Sequence, residues 1–471
     1  MISLEPGWLV IEHPVEPFKI KMVEPIRLLS RDERAKRLDE AHWNVFRLKS
    51  RDVFIDLLTD SGTAAMSHSQ WASLMQGDES YAGSSSWFRL EETVRNVLGI
   101  DYILPVHQGR AAERILYRWL LRGYRRAIVP ANSHFDTGKA IIEDSGGIPV
   151  DLPTPHSRDR SSRYPFKGDM DVSALESLMR REHDNVPFIL LVITNNTVGG
   201  QPVSIENIKA VREIADRYGK PLVMDICRFA ENAYLVKERD PVRRSMSVRD
   251  IVREMLSYGD HFVMSAKKDG LANIGGFIAT RVYDAYEELM ARVVMEEGFI
   301  TYGGMAGRDL EAIAQGLMEV VDEDYLRYRV EQVRYLGELL VHEGVPIIEP
   351  VGGHAVYVDA LEALPHIPRS NYPADALAAY LYLESGVRGV GLGALAFSRV
   401  IGGRVVYPER ELLRLAIPRR VYTESHLKYV AKSLGKVIAE RHKVKGLEIV
   451  WEPRIKGVRH FLAKLKPIDA P

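Results

Sequence analysis

At 471 residues, 46% of them apolar and 27% charged, the chain is long enough for two or three domains and has the composition of an ordinary folded protein. Its 63 Lys+Arg against 64 Asp+Glu leave a formal net charge of −1, which excludes a field directed at nucleic acid or an anionic membrane. The single cysteine, Cys227, excludes an intrachain disulfide and fits a reducing compartment.

The first residues, MISLEPGWLVIEHP, carry acids and prolines where a secretion signal needs a basic start and an apolar run, so a cytoplasmic protein is expected. Residues 1–58 mix proline-punctuated extended pieces with one charged helix over 31–41, and are expected to contribute to a smaller domain completed by the C-terminus. Residues 59–318 alternate short apolar runs with amphipathic helices, the pattern of an α/β domain with a mostly parallel sheet. Its clearest strands are 101–106, 126–131, 188–194, 221–225, 261–265 and 275–280, with helices such as 110–122 and 205–218 between them. The most apolar stretch, FILLVI, is far too short to cross a bilayer. That apolar run reads as buried, so the acceptor triplet Asn195-Asn196-Thr197 reads as accidental. HSRDRSSRYPFKGDM (156–170) reads as an exposed loop. From 319 to 471 a long charged helix (325–343), a Gly-turn and an alternating strand open a smaller α+β domain.

Four features fall at the ends of predicted strands, where open α/β sheets place their ligands. The turn in HQGRAAERIL ends at Gly109-Arg110 and opens a helix, whose free N–H groups and dipole suit a phosphate. Asn196 ends the strand VITNN. LVMDICR puts Asp225 at a strand end with Arg228 three residues on; a carboxylate there can keep a pyridinium nitrogen protonated. In MSAKKDG a strand runs into Lys267 and Lys268, and an apolar setting lowers a lysine's pKa and suits it to Schiff-base formation. Spacing alone does not choose between the two lysines. An aspartate, a lysine 43 positions later and an upstream Gly-led helix, without metal-spaced His or Cys, leave chemistry on a cofactor such as pyridoxal 5′-phosphate (PLP) as the best single account.

These motifs sit among blocks that resemble the β-eliminating lyases, the family of tryptophanase and tyrosine phenol-lyase: FIDLLTDSGT, GDESYAGS, HQGR, GGQPVS, RFAENAY, SAKKD, EGFITYGG, GGHAVYVDA and LLRLAIPRR. The resemblance covers nearly the whole chain and implies a fold type I PLP-dependent transferase-like enzyme. It selects Lys268 as the Schiff-base lysine and assigns phosphate contacts to Gln108, Gly109, Arg110, Ser265 and Lys267. It further implies that Phe135 stacks on the cofactor ring, Asp225 holds the ring nitrogen, and Asn196 and Arg228 contact the ring-oxygen side. Arg414 would clamp the substrate carboxylate, and Thr59 and Ser61 would line the entrance. Tyr81 carries over as a general acid and Tyr302 as a pocket residue, both reaching in from a neighbouring subunit of a homotetramer. A monovalent cation, usually K⁺, would bind Glu79 and the carbonyls of Gly62 and Asn273.

Such an enzyme β-eliminates an aromatic amino acid, and an aryl ring leaves carbon only after protonation at its attachment atom, a task for Tyr81 or Asp136. The wording of VRYLGELL, VPIIEPVGGHA and MAGRDLEAIAQGL lies closer to tyrosine phenol-lyase. Three pocket positions point to tryptophanase: Leu392 in place of the phenol-binding arginine, Asp136 after the stacking phenylalanine, and His460 in place of a phenylalanine. A site that reads a hydroxyl discriminates by roughly 10⁴- to 10⁵-fold and an apolar one by only about 10², so the local positions decide. The expectation is conversion of L-tryptophan to indole, pyruvate and ammonium; the alternatives are tyrosine phenol-lyase or a related β-eliminating lyase and, in another class, a PLP aminotransferase. Departures from the family are Ala111, Ala416 and Gly391, and the last is expected to enlarge the pocket.

Overall fold

A computed structural model describes residues 15–468; the first fourteen residues, read above for a secretion signal, lie outside the described residues, as do the last three. Seven strands form the main sheet: β1 (Tyr102–Val106), β2 (Ile128–Ala131), β3 (Ile148–Asp151), β4 (Ile189–Val192), β5 (Leu222–Asp225), β6 (His261–Ser265) and β7 (Gly276–Thr280). Their order is β1-β7-β6-β5-β4-β2-β3. β6, β5, β4, β2 and β3 pair in parallel, while β7 runs antiparallel to both its neighbours, β1 and β6. Only β7 is reversed because residues 266–275 return from β6 without a crossover helix. The other six strands therefore end at one edge of the sheet.

The strands read as unbroken apolar runs because both faces are covered. Leu191, Met224 and Phe262 enter one core, whereas Leu190, Val192, Val223 and Val263 point the other way into a second, against the helix Gly109–Leu121. β3 is not among the strands read from the sequence: its residues are exposed or half-buried, as befits an edge strand. The 156–170 segment is an exposed loop, as expected, only up to about Arg163, and the rest corrects that reading. Phe166 to Met170 are buried, and the Lys167 ammonium donates to the carbonyls of Asp159 (2.8 Å), Arg160 (3.1 Å) and Glu349. Three carbonyls satisfy its three donors, and burial followed by Arg410 pushes its pKa down to about 8. Asn195 is fully buried, in agreement with an accidental acceptor triplet.

A smaller α+β domain packs beside the sheet. Its antiparallel strands Val390–Leu392, Leu412–Ala416 and Ala355–Asp359 lie in that order, with Val390 opposite Arg414. Leu38, Ile55 and Leu57 from the N-terminal segment share a core with Leu336, Val358, Leu377, Leu413 and Leu434, and Ile55–Asp56 pairs in parallel with Val387–Arg388. Two long helices, Glu323–His342 and Glu424–Ala439, cover this core. Among the described residues no helix is long and apolar enough to cross a membrane.

Candidate active site

The strand ends open into a cavity of about 270 Å³ between the sheet and the smaller domain. Gln108, Gly109, Arg110, Phe135, Asn196, Asp225, Arg228, Ser265, Lys267, Lys268, Thr59, Ser61, Leu392, Arg414, Asp136 and His460 all line it, so sixteen expected site residues from five strand ends and the smaller domain converge.

Gly109 starts its helix against β6, where a Cβ would stand 2.5 Å from the Ser265 Cβ. Only glycine lets the free N–H groups of that first turn close up on Ser265, which leaves a concave donor set flanked by Arg110 and Lys267. Burial, then Lys268 and Arg110, push the Lys267 ammonium below its ordinary pKa, so an anion is favoured between them. Neither Lys267 nor Lys268 has an ion-pair partner among the described residues. Asp225 turns into the cavity at the end of β5, with Oδ1 accepting from the Cys227 N–H at 3.0 Å. The Cys227 Sγ accepts from the Ser265 N–H at 3.1 Å, and burial with Asp225 pushes the thiol up, so it is a structural group and not a nucleophile.

Behind this wall lies a buried ion network. Arg228 grips Asp60 bidentately at 3.0 and 2.7 Å. Arg419 reaches Asp60 (3.0 Å), Glu231 (2.7 Å) and Asp269 (2.9 Å), and Arg329 reaches Glu231 (2.9 Å). Burial alone would raise the Asp60 carboxyl, yet Arg228, His354 and Arg419 hold it well below the usual range. Arg414 is aimed by the Leu58 carbonyl (3.0 Å) and Asn196 Oδ1 (3.3 Å), and its Nε is buried without a partner. Asn196 Oδ1 also accepts from the Tyr357 hydroxyl and lies 3.2 Å from His354 Nε2.

The opposite wall is made of Phe46, Val390, Leu392, Asp136, His460 and Phe461. His460 Nε2 lies 3.3 Å from Asp136 Oδ2 but off line, so both buried imidazole nitrogens lack a hydrogen bond. Phe461 (3.8 Å between centroids) and Phe46 (5.9 Å) hold the imidazole ring. Gly391 corrects the expectation of an enlarged pocket. In the strand Val390–Leu392 its neighbours face the cavity while it faces away, and a Cβ there would meet Asp375 Oδ1 at 2.6 Å.

Tyr81 and Tyr302 do not line the cavity of the single chain. Tyr81 is 66% exposed and packs on Phe299 (5.6 Å) and Tyr302 (5.2 Å). Of the expected cation ligands, Gly62 and Asn273 adjoin, with the Asn273 amide donating to the carbonyls of Gly62 and Ala64, each at 3.1 Å. Glu79 is instead held by Arg308 (3.1 Å) and the Gly307 N–H (2.7 Å). Among the described residues no cluster of three His, Cys, Asp or Glu could hold a metal ion.

Sequence reasoning missed Glu113, Thr137, Phe46 and Phe461. Glu113 follows Gly109 by one helical turn, a spacing that puts both on one face and could have found it. Phe46 carries no such signal.

The phosphate-ready helix start, the inward aspartate and two unpaired lysines fit the phosphate, the ring nitrogen and the aldehyde of PLP, and a fold of this kind carrying them defines a PLP enzyme. The comparisons with known proteins narrow this. The family model described as beta-eliminating lyase matches residues 56–433. A probable tryptophanase of Aeropyrum pernix is 72% identical over 457 residues, 97% of this chain and 98% of that protein. A tryptophanase of Salinibacter ruber is 52% identical, with 96% and 95% covered, and a tyrosine phenol-lyase of Symbiobacterium sp. is 48% identical, with 96% and 99% covered. The solved SepCysS–SepCysE N-terminal domain complex aligns at a TM-score of 0.53 and 14% identity, over 83% of this chain and 96% of that one, a likeness of fold alone. The chain belongs to the β-eliminating lyase family and is a PLP-dependent lyase. The wording read above as closer to tyrosine phenol-lyase is not matched by overall identity, which is higher with the two tryptophanases.

Proposed function

We propose that the chain cleaves L-tryptophan into indole, pyruvate and ammonium. The observation that carries this reading is the wall facing the substrate ring: two phenylalanines, Val390 and Leu392 surround one acid–imidazole pair, and among the described residues no guanidinium stands there to hold a departing phenolate. The three arginines of the cavity are engaged elsewhere: Arg110 at the helix start, Arg228 on Asp60, and Arg414 beside Asn196.

PLP, once bound, supplies the sink for the electron pair left at the substrate Cα. Gln108, Gly109, Arg110, Ser265 and Lys267 would hold its phosphate, Phe135 would pack on its ring, Asn196 and Arg228 would serve the ring-oxygen side, and Asp225 would keep the ring nitrogen protonated. Lys268, which lines the cavity, would hold the cofactor covalently and would serve as the base for the Cα proton. Arg414 clamps the substrate carboxylate, with Thr59 and Ser61 along the approach. The ring carbon must be protonated before it departs. Asp136, backed by His460, is the acid within reach inside one chain, and its carboxylate can also accept the indole N–H. Tyr81, with Tyr302, is the second acid, contributed by a neighbouring copy in a homotetramer. Exposure of the Tyr81 ring in the single chain supports that assembly. A monovalent cation, K⁺, held by Glu79 and the carbonyls of Gly62 and Asn273, and a cytoplasmic site of action complete the reading.

A tyrosine-cleaving enzyme is the second reading, since a tryptophanase of Rhodobacter capsulatus and the Symbiobacterium tyrosine phenol-lyase are both 48% identical to this chain. Incubation of the purified protein with tryptophan, tyrosine and S-methylcysteine in separate reactions, with pyruvate as readout, decides between them. Tryptophan should give indole and pyruvate together. Phenol from tyrosine with no indole from tryptophan reverses the assignment.

A further inference from the structure

Glu113 projects into the cavity from the phosphate-facing helix, yet none of the roles above uses it. It is buried, and among the described residues no lysine, arginine or histidine pairs with it. Its Oε2 accepts from the Thr137 hydroxyl at 3.1 Å, and its Oε1 lies 3.3 Å from the position a Cβ on Gly138 would take. Thr137 and Gly138 belong to the first turn of the helix Asp136–Asp144, and the Thr137 N–H donates to Asp136 Oδ1 at 2.6 Å. The titratable groups facing the Glu113 carboxyl are Asp225 from the end of β5, Lys268 from the β6–β7 turn, Asp136 from the neighbouring helix, and Tyr117 from its own.

We propose that Glu113 is a positioning residue for the elimination: through Thr137 it fixes the turn on which Asp136 faces the substrate ring, and its charge state sets the electrostatics around Asp225 and Lys268. The inference rests on the PLP-lyase reading above and deepens it. Burial first and Asp225 second push the Glu113 carboxyl up to about 8, against the opposing pull of Lys268 and Thr137. At neutral pH the site therefore keeps a second negative charge away from Asp225. Above that point Glu113 ionises, and the new charge favours the protonated state of any amine it faces.

Two variants separate the two roles. Glu113→Gln keeps an acceptor for Thr137 and cannot ionise, whereas Glu113→Leu removes both. The absorbance of the PLP-loaded wild type should change in a step near pH 8 that Glu113→Gln lacks. S-Methylcysteine releases a thiolate that needs no ring protonation, so loss of positioning should affect it less. In Glu113→Leu the kcat ratio of tryptophan to S-methylcysteine should fall about tenfold or more, and Glu113→Gln should restore it. A pH step retained in Glu113→Gln, or equal losses on both substrates in Glu113→Leu, overturns the proposal. A wild-type protein that takes up no PLP overturns the reading beneath it, a result distinguishable from either.

Discussion

The wall that takes the cofactor and the wall that faces the substrate ring come from different parts of the chain and are backed by different chemistry. The cofactor wall stands on the parallel strand ends of the main sheet, and behind it Arg228, Arg329 and Arg419 interlock with Asp60, Glu231 and Asp269. Equal numbers of opposite charges in short contact make removal of any one member strongly unfavourable, because it leaves a buried charge uncompensated. The ring-facing wall is assembled from Phe46 near the N-terminus, a strand of the smaller domain, and His460 and Phe461 near the C-terminus. Behind its strand Val390–Leu392 lie two carboxyls, Asp375 and Glu411, with Oδ2 and Oε2 buried and lacking hydrogen bonds. Every acid of that network meets a guanidinium, whereas among the described residues Asp375 and Glu411 have no ion-pair partner. On the proposed reading, chemistry common to PLP enzymes falls to the first wall, and choice of ring falls to the second.

The comparison predicts that substitutions in the cofactor wall abolish turnover on every substrate, whereas those in the ring wall change the ranking of substrates. The largest effect belongs to Lys268→Ala. Without the amine, the covalent link and the base for the Cα proton are both lost, so kcat should fall by about 10² to 10⁴ on tryptophan and S-methylcysteine alike. The visible absorbance of the bound cofactor should shift as its link to the protein goes. A loss confined to tryptophan would contradict this division of labour.

Leu392→Arg tests the other wall with a smaller effect. A guanidinium there would face the departing ring, favouring a phenolate and burying charge beside an indole. The ratio of kcat/KM for tyrosine over tryptophan should rise about 10- to 100-fold, while S-methylcysteine turnover changes least. A ratio that stays put would mean that the ring is held elsewhere, for instance by Asp136 and His460 alone.

The cofactor wall was the more legible in the sequence, for a physical reason. Its groups follow directly on short apolar strands, so Asp225, Ser265 and Lys268 announce themselves as polar residues at the ends of LVMD and HFVMS. Choosing Lys268 over Lys267 took the family resemblance, since both lysines line the cavity and spacing treats them alike. The network behind it was not legible: Arg419 and Asp269 are 150 residues apart, and nothing local pairs them. Nor was the inward turn of Phe166 to Met170, because a lysine in a polar stretch reads as solvated until the three carbonyls that receive it are in view. Gly391 was misread because its family context suggested a pocket residue, while strand alternation turns it to the opposite face.

That opposite face gives the smallest expected effect. Burial, opposed by Arg459, pushes the Asp375 carboxyl up to about 7, and burial with Asp375 pushes Glu411 up to about 8. In the unfolded chain both acids would titrate near 4, so between that pH and the raised values the folded state binds more protons than the unfolded one. Stability from this pair is therefore fully present below about pH 4 and declines as pH rises through about 7 and 8. Thermal or urea unfolding at pH 5 and pH 8 should show the decline, on the order of 3–6 kcal/mol, and Asp375→Asn should lessen it. Because these carboxyls lie against the strand that carries Leu392, the tryptophan-to-S-methylcysteine ratio should drift over the same range. If Asp375→Asn leaves the slope unchanged, the ring wall is no softer than the one opposite, and the contrast between their foundations fails.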